Sequence, residues 1–225
     1  MFKKVLIAGA SRGIGLELAV QYAADGWSVI AACRDPDTAR SWLPAHVDLQ
    51  RLDVSNANSV ASLAYHLDEA PLDLLIVCAG AYGPDTQGFL APSDENFDLV
   101  MHTNVLGPMR VIQAFAPCVA SVKGAIVVLS SKMGSIASAS ATTGLLYRAS
   151  KAAVNMVVKI AATEYGPQGA IVISMHPGWV RTEMGGPDAT LSVTESVEQM
   201  RALIAGLDEH DNGEFCDYSG RILEW

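Results

Sequence analysis

Near its start the chain reads Lys4-Val5-Leu6-Ile7-Ala8-Gly9-Ala10-Ser11-Arg12-Gly13-Ile14-Gly15, an apolar run that breaks into three glycines and then into a helical pattern. Five β-prone residues ending abruptly in glycine read as a buried strand. Ile14–Ala24, followed by Gly26, reads as a helix with its stop signal. Between them, Gly9-x-x-x-Gly13-x-Gly15 lets the backbone approach a diphosphate, and the following helix offers unpaired N–H groups and the positive end of its dipole. Strand, glycine loop and helix in that order open a dinucleotide-binding βαβ unit. Gly9, Ser11, Arg12, Gly13, Ile14 and Gly15 are therefore candidate cofactor contacts. The same residues spell G-x-S-x-G, the nucleophile elbow of an α/β-hydrolase with Ser11 as nucleophile. That elbow needs a substantial sheet before it, whereas only one strand precedes Ser11.

Working outward, apolar runs alternate with helical patterns along the whole chain, which predicts βαβ units and a parallel sheet. Strands are expected at Lys4–Ala8, Ser28–Ala32, Val47–Leu52, Leu74–Cys78, Ala125–Ser130, Ala170–Met175 and Glu214–Asp217. Their runs are continuous, as expected for strands covered on both faces. Helices are expected at Ile14–Ala24, Pro36–Trp42, Asn56–Asp68, Ser93–Ala120, Leu145–Glu164 and Val193–Leu207. Asp35-Pro36 suits a helix start, Ser192-Val193-Thr194-Glu195 fits a capping box, and Pro108 should bend the long central helix. The fold class is α/β: a single doubly wound Rossmann domain over residues 1–225, with a seven-stranded, mainly parallel sheet and helices on both faces.

Of the 225 residues, 50% are hydrophobic and 17% charged, and a mean hydropathy of +0.25 argues against a disordered chain. A net charge of -9 and a pI near 4.9 argue against nucleic acid or an anionic membrane as partner, so an anionic ligand must meet local positive charge. Cys33, Cys78, Cys118 and Cys216 form no C-x-x-C pair and read as reduced thiols. The five histidines lack ligand spacing, so no metal is expected. The opening Met1-Phe2-Lys3-Lys4 and its apolar run imitate an export signal too briefly to be one, and no stretch is long enough to cross a bilayer. A cytoplasmic protein is expected.

The local positive charge lies where it decides the cofactor. A ribose-binding acid is expected about 20 residues beyond the glycines. Cys33-Arg34 stand there instead, and Asp35 is better placed to cap the next helix. Arg34 and Arg12 make two cations suited to a 2′-phosphate, which favours NADP(H). Further along, Tyr147 and Lys151 are four apart on a predicted helix and share a face. An ammonium one turn away should lower the phenol's pKa and make it a usable proton donor.

Taken together, Gly9-x-x-x-Gly13-x-Gly15, Cys78-Ala79-Gly80, Asn104-Val105-x-Gly107, Ser130-Ser131, Tyr147-x-x-x-Lys151 and Pro177-Gly178 resemble the short-chain dehydrogenase/reductase family, in its order and over nearly the whole chain. His176-Pro177-Gly178-Trp179-Val180-Arg181-Thr182-Glu183-Met184 and the tail from Asn212 to Trp225 are similar to its C-factor-like branch, which includes sniffer-type carbonyl reductases. The resemblance implies Tyr147 as proton donor to a carbonyl oxygen and Lys151 as the group holding the nicotinamide ribose. It implies Ser131 as the polariser of that carbonyl and Asn104 as holder of a water linking Lys151 to solvent. Asp53 and Val54 would meet the adenine; Ala79 and Gly80 would line the cofactor, and Pro177, Gly178, Val180 and Thr182 would cover the nicotinamide. A homo-oligomer, dimer or tetramer, through the Ser93–Ala120 and Leu145–Glu164 helices is likewise implied.

Three departures stand out. Ala8 replaces the family's threonine, Cys78 replaces an asparagine, and Ser131 lies sixteen positions before Tyr147, about three more than the family's commonest spacing. Ser135 therefore competes with Ser131 for the polarising role. Met133, Ile136, Trp179 and Met184 are candidate linings for an apolar carbonyl or alcohol substrate. A C-factor-like signalling protein that binds NADPH with little turnover is the alternative reading.

Overall fold

The computed structural model of the chain describes residues 3–225; Met1 and Phe2, the start of the signal-like opening, lie outside the described residues. Strands β1 (Lys4–Ala8), β2 (Ser28–Cys33), β3 (Asp48–Arg51), β4 (Leu74–Val77), β5 (Ala125–Leu129), β6 (Ile171–His176) and β7 (Phe215–Asp217) form one sheet, in the order β3-β2-β1-β4-β5-β6-β7. Every neighbouring pair is parallel, from Ile30 opposite Asp48 at one edge to Ser174 opposite Phe215 at the other. Parallel strands require crossovers, and here the crossovers are helices on both faces. These are α1 (Gly13–Ala24), α2 (Pro36–Arg40), α3 (Ala57–Leu67), α4 (Asp94–Met101), α5 (Gly107–Ala120), α6 (Leu145–Tyr165) and α7 (Val193–Ala205).

Alternation along each strand divides the core into two layers. Leu6 and Ala8 of β1 pack with residues of α3, α5 and α6, while Val5 and Ile7 pack with residues of α1, α2 and α7. The capping box is present: Ser192 accepts from the Glu195 N–H while the Glu195 carboxylate accepts from Ser192. Asp35 does occupy the N-cap of α2, but its side chain makes no capping bond, and α2 stops at Arg40, two residues short of Trp42. Among the described residues no helix is long and apolar enough to cross a membrane.

The central helix differs from expectation. Ser93–Ala120 is not one bent helix: a π-helical turn, His102–Leu106, separates α4 from α5. Pro108 has no N–H to give the Asn104 carbonyl, and the ladder responds one turn earlier, where the Gly107 N–H reaches back five residues to His102. The distortion thus falls on the turn that carries Asn104.

The strand order reverses between β1 and β4, and the crevice beyond their carboxyl ends is the place such sheets bind ligands. Gly9 sits there at φ +103, and a Cβ on it would lie 2.6 Å from the Ala79 nitrogen. Only glycine fits that crossing of backbones.

Candidate active site

The crevice floor is backbone. Gly9 and Ala10 donate to the Ala32 carbonyl at 2.8 and 3.1 Å, and Cys78 and Ala79 donate to Ala8 at 2.8 and 2.9 Å. Beyond this floor the glycines keep a cradle open. A Cβ on Gly13 would come within 3.3 Å of Thr182 Cγ2, and one on Gly80 within 3.5 Å of Asn104 Oδ1 and 3.8 Å of Lys151 Nζ. Arg12, Gly13, Ile14 and Gly15 form the N-terminal turn of α1, whose first N–H groups have no intrahelical partner. Ser11 lies in the same bend.

One helix and one strand end supply the candidate side chains. Gly144, at φ +67, starts α6; Tyr147 and Lys151 follow on its buried face. The Lys151 amine donates to the Leu129 carbonyl at the end of β5 (2.8 Å) and sits 5.7 Å from the centroid of the Tyr147 ring. Ser131 follows β5 and accepts from the Met133 N–H at 3.1 Å. Ser135 is turned elsewhere: it donates to the Trp225 carbonyl at 3.4 Å and accepts from the Ser138 N–H at 3.1 Å.

The expected lowering of the phenol by Lys151 is not met. Burial pushes the Tyr147 pKa up to about 12, Ser131 opposes it, and the phenol of Tyr82 adds to it. Burial also draws the Lys151 pKa down from 10.5 to about 8, so the same desolvation that protects the phenol weakens the ammonium meant to offset it. Cys78, the departure from the family pattern, stays a neutral thiol, burial pushing it up to about 12.

Asn104 is fully engaged. Its amide accepts from the Ala81 N–H at 2.7 Å and donates to the Ala81 carbonyl at 2.8 Å and to Ser150 Oγ at 2.9 Å. Its side chain therefore braces the β4 loop against α6. Asp53 accepts from the Ser55 N–H and hydroxyl at 2.9 and 2.7 Å. Val54 is buried beneath Gly107, its side chain directed into the core. Pro177 accepts from Ser196 at 2.6 Å, Gly178 packs against Leu191 and Tyr218, and Val180 bridges to Leu191. Thr182 alone of this segment meets the glycine loop through its side chain. Arg34 is exposed at the end of β2, and Arg12 is ion-paired with Glu183.

Two residues escaped the sequence reading. Tyr82 stacks on Tyr147, ring centroids 4.8 Å apart at 33°, and its hydroxyl lies against Gly144 beside Met133. Its position two residues past Gly80, at the switch point, was the available signal. His176 ends β6 with a buried Nδ1 that has no partner among the described residues. Burial holds its pKa down near 4; Asp217 opposes this, while Lys132 and Arg221 reinforce it. Of the expected linings, Met133 lies with the Tyr82 hydroxyl against Gly144, whereas Ile136, Trp179 and Met184 are exposed.

The short chain dehydrogenase family model matches residues 3–190. C-signal of Myxococcus xanthus is 38% identical over 170 residues, spanning 73% of this chain and 99% of that protein. A carbonyl reductase from Pseudomonas aeruginosa PAO1, solved in complex with NADP, superposes with a TM-score of 0.85 at 35% identity, covering 100% of both chains. The carbonyl reductase Sniffer of D. melanogaster superposes at 0.89 with 27% identity, again over 100% of both.

Proposed function

We propose that this chain, which belongs to the short-chain dehydrogenase family, uses NADP(H) to reduce the carbonyl of an aldehyde or ketone, with Tyr147 as proton donor. The observation that carries the reading is the meeting of Ser131, Tyr147 and Lys151 beside the glycine cradle at the carboxyl edge of the sheet. The Pseudomonas carbonyl reductase in complex with NADP supports the cofactor and the substrate class together.

The cradle fits a dinucleotide: Gly9, closed against the Ala79 backbone, leads into the N-terminal turn of α1, whose unpaired N–H groups would meet a diphosphate. When bound, the nicotinamide supplies the hydride. Ser131, whose oxygen accepts from the Met133 N–H, would turn its hydroxyl hydrogen to the carbonyl oxygen where negative charge grows. Burial keeps the Tyr147 phenol protonated at neutral pH, and an alkoxide is basic enough to take that proton. Lys151, charged below its pKa of about 8, stabilises the phenolate left behind and is placed to hold ribose hydroxyls. Oriented donors of this kind each contribute roughly 10²–10⁴-fold in rate. Ala79 and Gly80 would line the cofactor above the loop that Asn104 braces, Asp53 and Val54 would meet the adenine, and Pro177 to Thr182 would cover the nicotinamide. Arg12 and Arg34 receive the 2′-phosphate.

The whole chain acts as one domain, and a cytoplasmic site suits its four free thiols. Exposed Met109 of α5 and Ile160 of α6 border a shallow apolar groove, the face on which a homo-oligomer would form.

The test is thermal stabilisation by NADPH against NADH, followed by a panel of aldehydes and ketones monitored through NADPH absorbance. Turnover well above a Tyr147→Phe control supports the reading. Binding of NADPH with no turnover across the panel would favour the signalling role that the likeness to C-signal brings into view.

A further inference from the structure

We propose that Glu183 determines how strongly this chain prefers a nucleotide carrying a 2′-phosphate, by competing with that phosphate for Arg12. The inference rests on the NADP(H) reading above. Arg12 stands at the N-cap of α1 in extended conformation, and its side chain caps nothing. Its guanidinium instead pairs with the Glu183 carboxylate, which arrives from the opposite wall of the crevice, 171 positions further along the chain.

That meeting is built by the fold. The Gly185 N–H donates to Thr182 Oγ1 at 3.0 Å, the Gly186 N–H to the Thr182 carbonyl at 2.9 Å, and Trp179 Nε1 to the Gly185 carbonyl at 2.8 Å. Gly185 has no room for a side chain, since a Cβ there would lie 2.0 Å from the Val180 carbonyl oxygen. Glu183 therefore projects from a closed turn, and its neighbour Thr182 packs against Gly13, one residue beyond Arg12. Arg34, another cation at this end of the sheet, has no carboxylate partner among the described residues.

Both partners of the Arg12–Glu183 pair are largely exposed, so the pair is weak and exchangeable. A phosphate offers the guanidinium a bidentate partner of higher charge and takes it over. The displaced carboxylate stays tethered nearby and repels the phosphate. Glu183 thus works against 2′-phosphorylated nucleotides and leaves their unphosphorylated counterparts untouched, narrowing the preference that Arg12 and Arg34 create.

The experiment titrates the purified full chain and its Glu183→Gln and Glu183→Lys variants with adenosine 2′,5′-bisphosphate and with 5′-AMP, by calorimetry. Glu183→Gln should bind the bisphosphate roughly 2- to 5-fold tighter, the equivalent of one exposed ion pair, with AMP unchanged. Glu183→Lys should gain more, and both gains should shrink as salt is raised. If the native chain prefers the bisphosphate but Glu183→Gln leaves that affinity the same or weaker, or shifts both probes equally, the inference fails while the cofactor reading stands. A native chain that binds neither probe overturns both.

Discussion

Lys151→Met should stabilise the protein while removing its turnover. The amine is almost fully buried, and burial draws its pKa from 10.5 to about 8. At roughly 1.4 kcal/mol per unit, keeping it charged at neutral pH costs about 3 kcal/mol. Methionine has similar length and no charge, but it deprives the Leu129 carbonyl of its 2.8 Å donor, a loss of about 1 kcal/mol. The net gain is about 2 kcal/mol, or roughly 4–8 °C in Tm for a chain of this size. The sign with pH follows from the depressed pKa. The penalty is fully present below about 8 and fades as pH rises toward 10.5, because there the unfolded lysine binds the proton that the folded one has lost. Thermal melts of both proteins at pH 7 and pH 9.5 should show a gap that narrows or reverses at the higher pH. A variant that melts below the native chain at pH 7, or a gap indifferent to pH, would refute this account. Such a result would mean that Lys151 is held by interactions stronger than its desolvation. Stability gained by erasing a strained functional group is the usual trade at such sites.

Ser131→Ala should lower kcat by roughly 10²–10³-fold, whereas Ser135→Ala should leave it within a few-fold, because Ser135 bonds Trp225 and Ser138; steady-state kinetics of the pair decides between them. Carbonyl reduction should decline as pH rises through about 8, where Lys151 loses its proton, well before the phenol at about 12 can ionise; a pH–rate profile flat to pH 10 would contradict that order. His176, at about 4 against an ordinary 6.5, should remove about 3 kcal/mol of stability as pH falls through that window, and urea melts at pH 7 and pH 4.5 should show His176→Gln relieved of most of the loss. Gly9→Ala should destabilise by roughly 2–4 kcal/mol, since φ +103 and the 2.6 Å approach to Ala79 both exclude a side chain; an unchanged denaturation midpoint would contradict the crevice geometry.

The features that could be read from the sequence share a physical cause. A parallel strand covered on both faces must be apolar throughout, so β1 is legible residue for residue as Lys4–Ala8, and the glycines after it announce the crevice. What escaped depends on partners distant in the chain. A proline without an N–H can be absorbed by a bend or by a π turn, and only the Gly107–His102 bond shows which. Spacing alone left Ser131 and Ser135 in competition. What the fold adds is Trp225, whose carbonyl takes the N–H groups of Ile136 and Ala137 and the Ser135 hydroxyl, a partner 90 positions along the chain. The phenol makes the point most sharply. Four-residue spacing places Lys151 on the face of Tyr147 and invites the inference of a lowered pKa, but the sign of a shift depends on total solvent exclusion as well as on the nearest charge. Tyr82, arriving from the loop after β4, stacks on the ring and its phenol raises the pKa further, while the Lys151 amine donates its hydrogen bond to the Leu129 carbonyl. A side chain's face is local information, whereas its dielectric environment is a property of the folded whole.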